Sequence, residues 1–148
     1  MQEDIKAFLK SYLPALRSAE RWFREWDNAE DVSVRSPKLD GMPRSTGVHG
    51  LELQVELIER CRTRAEKERD KALKILDQIE DMVDRLEDAD QRRLIRDRYI
   101  TGMEWAEVAD DVNMSLRTVY RVHGQALAEM RRNEETDSLE PVLRDRRS

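Results

Sequence analysis

Positions 51, 55, 58, 62, 65, 69, 72, 76, 79, 83 and 86 advance by steps of four and three and read Leu, Val, Ile, Arg, Ala, Arg, Ala, Leu, Ile, Val and Leu. An α-helix brings residues at that spacing onto one face, and alternation of the two steps is the heptad form of the pattern. The seam therefore predicts a helix over about 51–88, roughly 55 Å long at 1.5 Å per residue. A helix of that length cannot cover its own stripe, so at least one further helix must lie along it. The ends of the stripe are apolar, whereas its middle is small or basic. Arg62 and Arg69 occupy seam positions of the kind that set register and partner choice in coiled coils.

The first segment supplies a matching stripe in Ile5, Leu9, Tyr12, Leu16, Ala19, Phe23 and Trp26, again in alternating steps. It predicts a helix over about 3–29. Pro14 lies inside it, where its ring and missing N–H impose a kink or make the helix restart with Pro14 in its first turn. Trp22, Phe23 and Trp26 fall at helical spacing and are expected in the core. Residues 30–50 hold two of the four prolines and three of the five glycines, so a long loop is expected there. Arg35, Lys38 and Arg44 read as solvated loop charge, and His49 has no second ligand at metal spacing. The first helix, folded back across this loop, reaches only part of the long seam. The remainder calls for the C-terminal module or another subunit. The expected architecture is all-α: an antiparallel helical hairpin or coiled coil over 1–88, also serving self-association as a homodimer or higher oligomer. A compact module at 89–132 and a charged, disordered tail at 133–148 complete it.

Composition narrows the function. Charged residues make up 40% of the chain against 5% aromatics, which suits long solvated helices better than a thick core. The net charge of −5 provides no domain-wide field for polyanions. Lysine is used only up to Lys74, and every later cation is arginine, the side chain suited to bidentate contacts with guanine edges and phosphates. The single cysteine, Cys61, excludes an intrachain disulfide and reads as a small buried residue. No apolar run approaches the roughly 20 residues of a membrane span, and the N-terminus has no signal-peptide pattern. A cytoplasmic protein is expected. There is no paired-histidine metal motif, no phosphate-cradling glycine loop and no nucleophile with an identifiable base. Neither enzymatic activity nor a cofactor is therefore expected. The adjacent pairs Asp110-Asp111 and Glu134-Glu135 read as surface charge.

The chemistry-bearing pattern lies in 102–132. A supporting helix begins near Asp90 with Leu94, Ile95, Tyr99 and Ile100 as its stripe, and Gly102 is placed to end it in the left-handed conformation. A second helix starts near Glu104, with Trp105, Val108, Ala109 and Val112 making one buried face. Asn113, Met114 and Ser115 form a turn, and Ser115 is a good N-cap for the next helix, about 116–130. At about 100° per residue, Val119, Val122, Ala126 and Met130 share one side of that helix, flanked by Leu116 and Leu127. Arg117, Arg121 and Gly124 share the other, flanked by Thr118, Tyr120 and Gln125. Gly124 costs about 1 kcal/mol relative to alanine inside a helix, so its outward position suggests close approach by a partner. His123 turns toward the packed side as a hydrogen-bonded structural histidine.

These elements resemble the helix-turn-helix of sigma-factor region 4, through Leu94 to Arg98-Tyr99, Gly102, Glu107-Val108-Ala109, Ser115, Thr118-Val119 and Ala126-Leu127 to Arg131. In that family the last helix reads the −35 promoter element. The resemblance implies DNA-contacting roles for Leu116, Arg117, Tyr120, Arg121 and Gln125, with Thr118 beside them. The capping Ser115 and its neighbouring N–H groups would hold a phosphate. Leu116 departs from the arginine familiar there in housekeeping sigma factors, so the same base specificity does not follow. Over most of 5–131 the chain also resembles phage and prophage regulators of the RinA/ArpU type. Ser36-Pro37, Asp40-Gly41-Met42-Pro43-Arg44 and Tyr120-Arg121-Val122-His123-Gly124 carry that likeness. It implies a transcriptional regulator of late phage genes that binds promoter or operator DNA. No aromatic, basic segment for promoter melting accompanies the module, so a full sigma factor is not expected, whereas contact with RNA polymerase is compatible with it. The alternative is a helical adaptor or assembly protein whose C-terminal module binds a protein such as RNA polymerase rather than DNA.

Overall fold

Ser11 divides the expected N-terminal helix in two. In the computed structural model, α1 (Gln2–Lys10) ends where the Ser11 N–H and hydroxyl turn back to the Phe8 carbonyl, and α2 (Tyr12–Arg35) begins at the next residue. Pro14 thus sits in the first turn of α2, where its missing N–H has no intrahelical acceptor to lose. The restart is the outcome, not a kinked continuous helix. The structure describes residues 2–35 and 47–145, with side chains over 4–31 and 50–138, and every regular element among them is helical. Lys38, Arg44 and the proline-containing motifs between 36 and 46 lie outside the described residues. The helices that follow are α3 (Gly47–Asp84), α4 (Ala89–Ile95), α5 (Trp105–Val112) and α6 (Leu116–Asp145), with a π-helical turn, Arg96–Thr101, continuing α4.

The chain forms two compact units, Pro14–Leu73 and the combination of residues 1–13 with 74–148. The first is an antiparallel hairpin. The Ser18 hydroxyl donates to Glu68 at 3.3 Å, and Arg64 lies beside Trp22, so positions run in opposite directions along the pair. Its buried side chains are small: Ala19, Ala29, Cys61, Ala65 and Ala72, together with Glu68. This corrects the expected seam. Arg62 and Arg69 are exposed, and α3 is turned so that Cys61 and Glu68 take the inner positions. Burying an unpaired guanidinium is costly, whereas a cysteine costs nothing to bury and Glu68 finds both the Ser18 hydroxyl and Arg64, the latter at 3.2 Å. The rotation also leaves Leu51 and Val55 in the open, 64% and 53% exposed. Trp22, Phe23 and Trp26 are half-buried instead of central. Trp22 is flanked by the guanidinium groups of Arg21 and Arg64, and the Trp26 indole N–H donates to Glu30 at 2.8 Å.

The second unit holds the large side chains. Leu9, Ile79, Val83, Leu86, Leu94, Ile95, Val108, Val119 and Met130 are all under 2% exposed. The break at Ser11 allows α1 to pack on α6, burying Ile5 and Leu9, so α1 belongs with the C-terminal module and not with the hairpin. The expected tail is corrected as well. α6 runs on to Asp145, and the Arg85 guanidinium holds both the Asp137 carboxylate and the Asn133 carbonyl.

Candidate functional site

Local chemistry builds the C-terminal module in the order the chain is read. The Asp88 carboxylate accepts the Asp90 N–H at 2.8 Å and the Gln91 N–H at 3.3 Å, capping α4. Gly102 closes the π-helical turn with φ 84°, and its N–H reaches the Asp97 carbonyl. A Cβ at Gly102 would stand 3.3 Å from the Leu13 side chain, so glycine is required both for its conformation and for space. At the start of α5 the Glu107 carboxylate accepts the Glu104 N–H at 3.1 Å, one half of a capping box. Asn113 ends α5 in the left-handed region at φ 61°. Ser115 then caps α6 by accepting the Thr118 N–H at 3.2 Å. The turn Asn113-Met114-Ser115 and its Ser115 cap therefore lie where the sequence puts them, and the structure adds Asn113 as the cap that ends α5.

The two faces of α6 separate as expected except at Leu116, which was placed on the flank of the packed side and is exposed. Val119, Val122, Ala126, Leu127 and Met130 are buried, as are Leu94, Ile95, Val108, Ala109 and Val112 of α4 and α5, on which α6 packs. On the other side Ser115, Leu116, Arg117, Tyr120, Arg121, Gly124 and Gln125 are exposed. Thr118 is half-buried, its hydroxyl 2.8 Å from that of Ser115, so it belongs to the cap more than to the open face. His123 is buried, with its Nε2 2.7 Å from the Tyr99 hydroxyl. Burial, with lesser repulsion from Lys6, Arg98 and Lys10, lowers the imidazole from 6.5 to about 4, so it is neutral near pH 7. Trp105 is only half-buried, contrary to its expected place in the packed face. Its ring meets His123 edge-on at 4.7 Å and Tyr120 at 5.4 Å, while Arg98 lies 4.7 Å from its centroid. Arg98 also donates to the Met103 carbonyl at 2.9 Å. Tyr120 is consequently exposed yet braced from behind. That support was missed in the sequence, because it joins residues from three separate elements.

The arginines distinguish this face from the rest of the unit. Arg92 donates to the Leu86 and Glu87 carbonyls, Arg93 to Asp111, Arg96 to Glu80 and Asp84, Arg131 to Glu135 and Arg132 to Glu129. With Arg85 and Arg98 already engaged, Arg117 and Arg121 are the two between 85 and 132 whose side chains make neither an ion pair nor a hydrogen bond among the described residues. No acidic side chain occurs between Asp111 and Glu129. That acid-free run of 112–128, in a chain with 32 carboxylates, is a sequence signal that locates the patch independently of any motif.

In the same module, Arg93 grips Asp111 through its Nε and one terminal nitrogen at 2.8 and 2.9 Å and holds its carboxyl below the usual range. Asp97 lies beside Asp111, and its Oδ2 is buried with no hydrogen-bond partner. Burial, and then the neighbouring carboxylate, push Asp97 up to about 6. Among the described residues no cluster of three His, Cys, Asp or Glu side chains is placed to hold a metal ion, and no helix is long and apolar enough to cross a membrane.

The family described as "Protein of unknown function (DUF1492)" matches residues 49–131, which is more than half of the chain, and the chain belongs to that family. The match takes in most of α3 and all of the module up to the middle of α6. No curated protein and no solved structure matches the chain.

Proposed function

We propose that this DUF1492 protein is a sequence-specific DNA-binding regulator of transcription whose reading helix is the first half of α6. The observation that carries this reading is the pair Arg117 and Arg121. They are exposed one turn apart on the same face, uncommitted where the surrounding arginines are all engaged, and set in a stretch without carboxylates. A capped helix with such a face suits the major groove, where guanidinium groups pair with guanine O6 and N7, and Gln125 lies one turn beyond. Ser115 and the first N–H groups of α6 face a phosphate in this arrangement. The likeness to sigma region 4 and to RinA/ArpU-type phage regulators supports the same reading and directs it to late phage or prophage genes, with RNA polymerase as a second partner.

The test is binding of the full chain to promoter duplexes at several salt concentrations. Affinity should fall steeply with salt through counterion release. Arg121→Ala should cost about 1–3 kcal/mol of affinity and relax preference at one base pair. Unchanged affinity and preference in that variant count against the assignment.

The hairpin supports a pair of such modules. Leu51, Leu53, Val55 and Leu57 are each more than half exposed within two turns of α3, apolar surface of the kind that a second copy covers. Leu53→Ser with Leu57→Ser should shift sedimentation toward monomer and weaken binding to two-half-site DNA, leaving the module's fold intact. A wild-type chain that sediments as a monomer at all concentrations removes this element of the proposal.

A further inference from the structure

Most large apolar side chains of the C-terminal unit are withdrawn from water, and the two exposed exceptions among its described residues are Leu116 and Tyr120, at 43% and 49%. Both lie on the proposed reading face, four residues apart and therefore stacked on the same side of α6. Leu116 is the first residue of the helix, directly after the Ser115 cap. A polar or acidic residue would suit the helix terminus better and would leave no apolar surface in water. Tyr120 is held from behind by the Trp105 ring, itself under Arg98, so its ring is presented with little freedom to lose on binding. The face thus alternates two apolar groups, Leu116 and Tyr120, with two guanidinium groups, Arg117 and Arg121.

In the major groove, the apolar group that distinguishes one base pair from another is the 5-methyl of thymine. Phosphates and the minor groove present none. We infer that Leu116, with Tyr120 beside it, reads thymine methyl groups, and that these two residues set specificity at positions next to those read by Arg117 and Arg121. The inference rests on the DNA-binding reading above and names the feature of DNA that its outward face selects.

The experiment takes the duplex enriched by the full chain from a randomised pool and replaces each thymine in turn by deoxyuridine. This substitution removes the methyl and leaves the hydrogen-bonding edges unchanged. At one or two positions the wild-type Kd should rise about fourfold, the effect of losing one methyl-sized apolar contact. The same substitution should have no effect on Leu116→Ala or on Tyr120→Ala, whichever residue meets that methyl. Both side chains are exposed, so both variants retain the buried core. A duplex bound tightly by the wild type but insensitive to uracil everywhere overturns this inference and leaves DNA binding standing. So does a uracil penalty that persists unchanged in both variants. Failure of the pool to yield any enriched duplex overturns the inference together with the reading beneath it.

Discussion

The hairpin and the C-terminal unit are both helical, yet they are held together differently. Among the described residues between Pro14 and Leu73 the buried ones are alanines, a cysteine and one glutamate, while Leu51, Leu53, Val55, Leu57 and Leu73 stay exposed. In the C-terminal unit large aliphatic residues are withdrawn almost completely, and among its described large apolar side chains only Leu116 and Tyr120 stand out. Small residues let helices approach closely but bury little apolar area. At about 25 cal/mol per Å² the hairpin gains far less from its interior than the module does. The module therefore can stand on its own packing, whereas the hairpin keeps apolar surface in reserve. Exposure of leucines in the hairpin fits association, and exposure of Leu116 and Tyr120 on an otherwise well-packed unit fits recognition.

The largest effects should come from the interiors. Leu94→Ala removes a fully buried side chain and should cost about 2–5 kcal/mol in urea unfolding followed by circular dichroism. In the hairpin the damaging direction is the reverse. Ala65→Leu forces methylenes into a closely packed seam and should cost about 1–3 kcal/mol, whereas Leu73→Ala, at an exposed position away from the proposed association surface, should be nearly neutral. If Leu94→Ala proves as mild as Leu73→Ala, the contrast between the units is broken.

A smaller effect sharpens the contrast through pH. His123 is lowered from 6.5 to about 4 in the folded chain. Between these values the unfolded chain takes up a proton that the folded chain refuses, so stability falls as pH drops through this window, by up to about 3 kcal/mol. Asp97 acts in the opposite sense. With its carboxyl raised from 3.8 to about 6, the folded chain accepts that proton first and recovers stability as pH falls below 6. His123→Gln removes the first contribution, so its denaturation midpoint should change less favourably than Asp97 alone allows in no part of the window, and should hold up better than wild type between pH 6.5 and 4. Parallel pH curves for wild type and variant would show that the buried imidazole carries no such linkage.

The smallest effect falls on the outward face. A Cβ at Gly124 meets nothing within 4 Å, and the residue lies inside α6. Gly124→Ala should stabilise the free protein by about 1 kcal/mol and raise its Tm by a few degrees. The same change should weaken DNA binding if a partner's backbone or bases approach there. A variant that is more stable and binds equally well would mean that the glycine serves neither packing nor recognition.

Much of the module was legible because its signals are local. Gly102 in the left-handed conformation, the Ser115 cap, the Asn113-Met114-Ser115 turn and the two faces of α6 depend on interactions within a few residues of one another. The hydrogen-bonded burial of His123 followed from its angle on α6. Less of the hairpin was legible. Period alone admits two nearby inner faces for α3, one with Arg62 and Arg69 inward and one with Cys61 and Glu68. Only contact with Ser18 and the solvation of guanidinium groups chooses between them. Trp22 and Trp26 misled for the same reason, since helical spacing does not say how much of a ring its neighbours will cover.

By itself, then, the sequence determined an all-helical chain, its caps and turns, and a last helix with Arg117, Arg121 and Gly124 on its outward side. Tertiary structure decided what those residues are free to do. It placed α1 on the C-terminal module, carried α6 through to Asp145, braced Tyr120 against Trp105, and engaged the other arginines between 85 and 132 with carboxylates and carbonyls. The division has a physical origin. Caps and turns are satisfied by hydrogen bonds between near neighbours, whereas whether a charge is spent or left available depends on which distant groups the packed chain brings within reach.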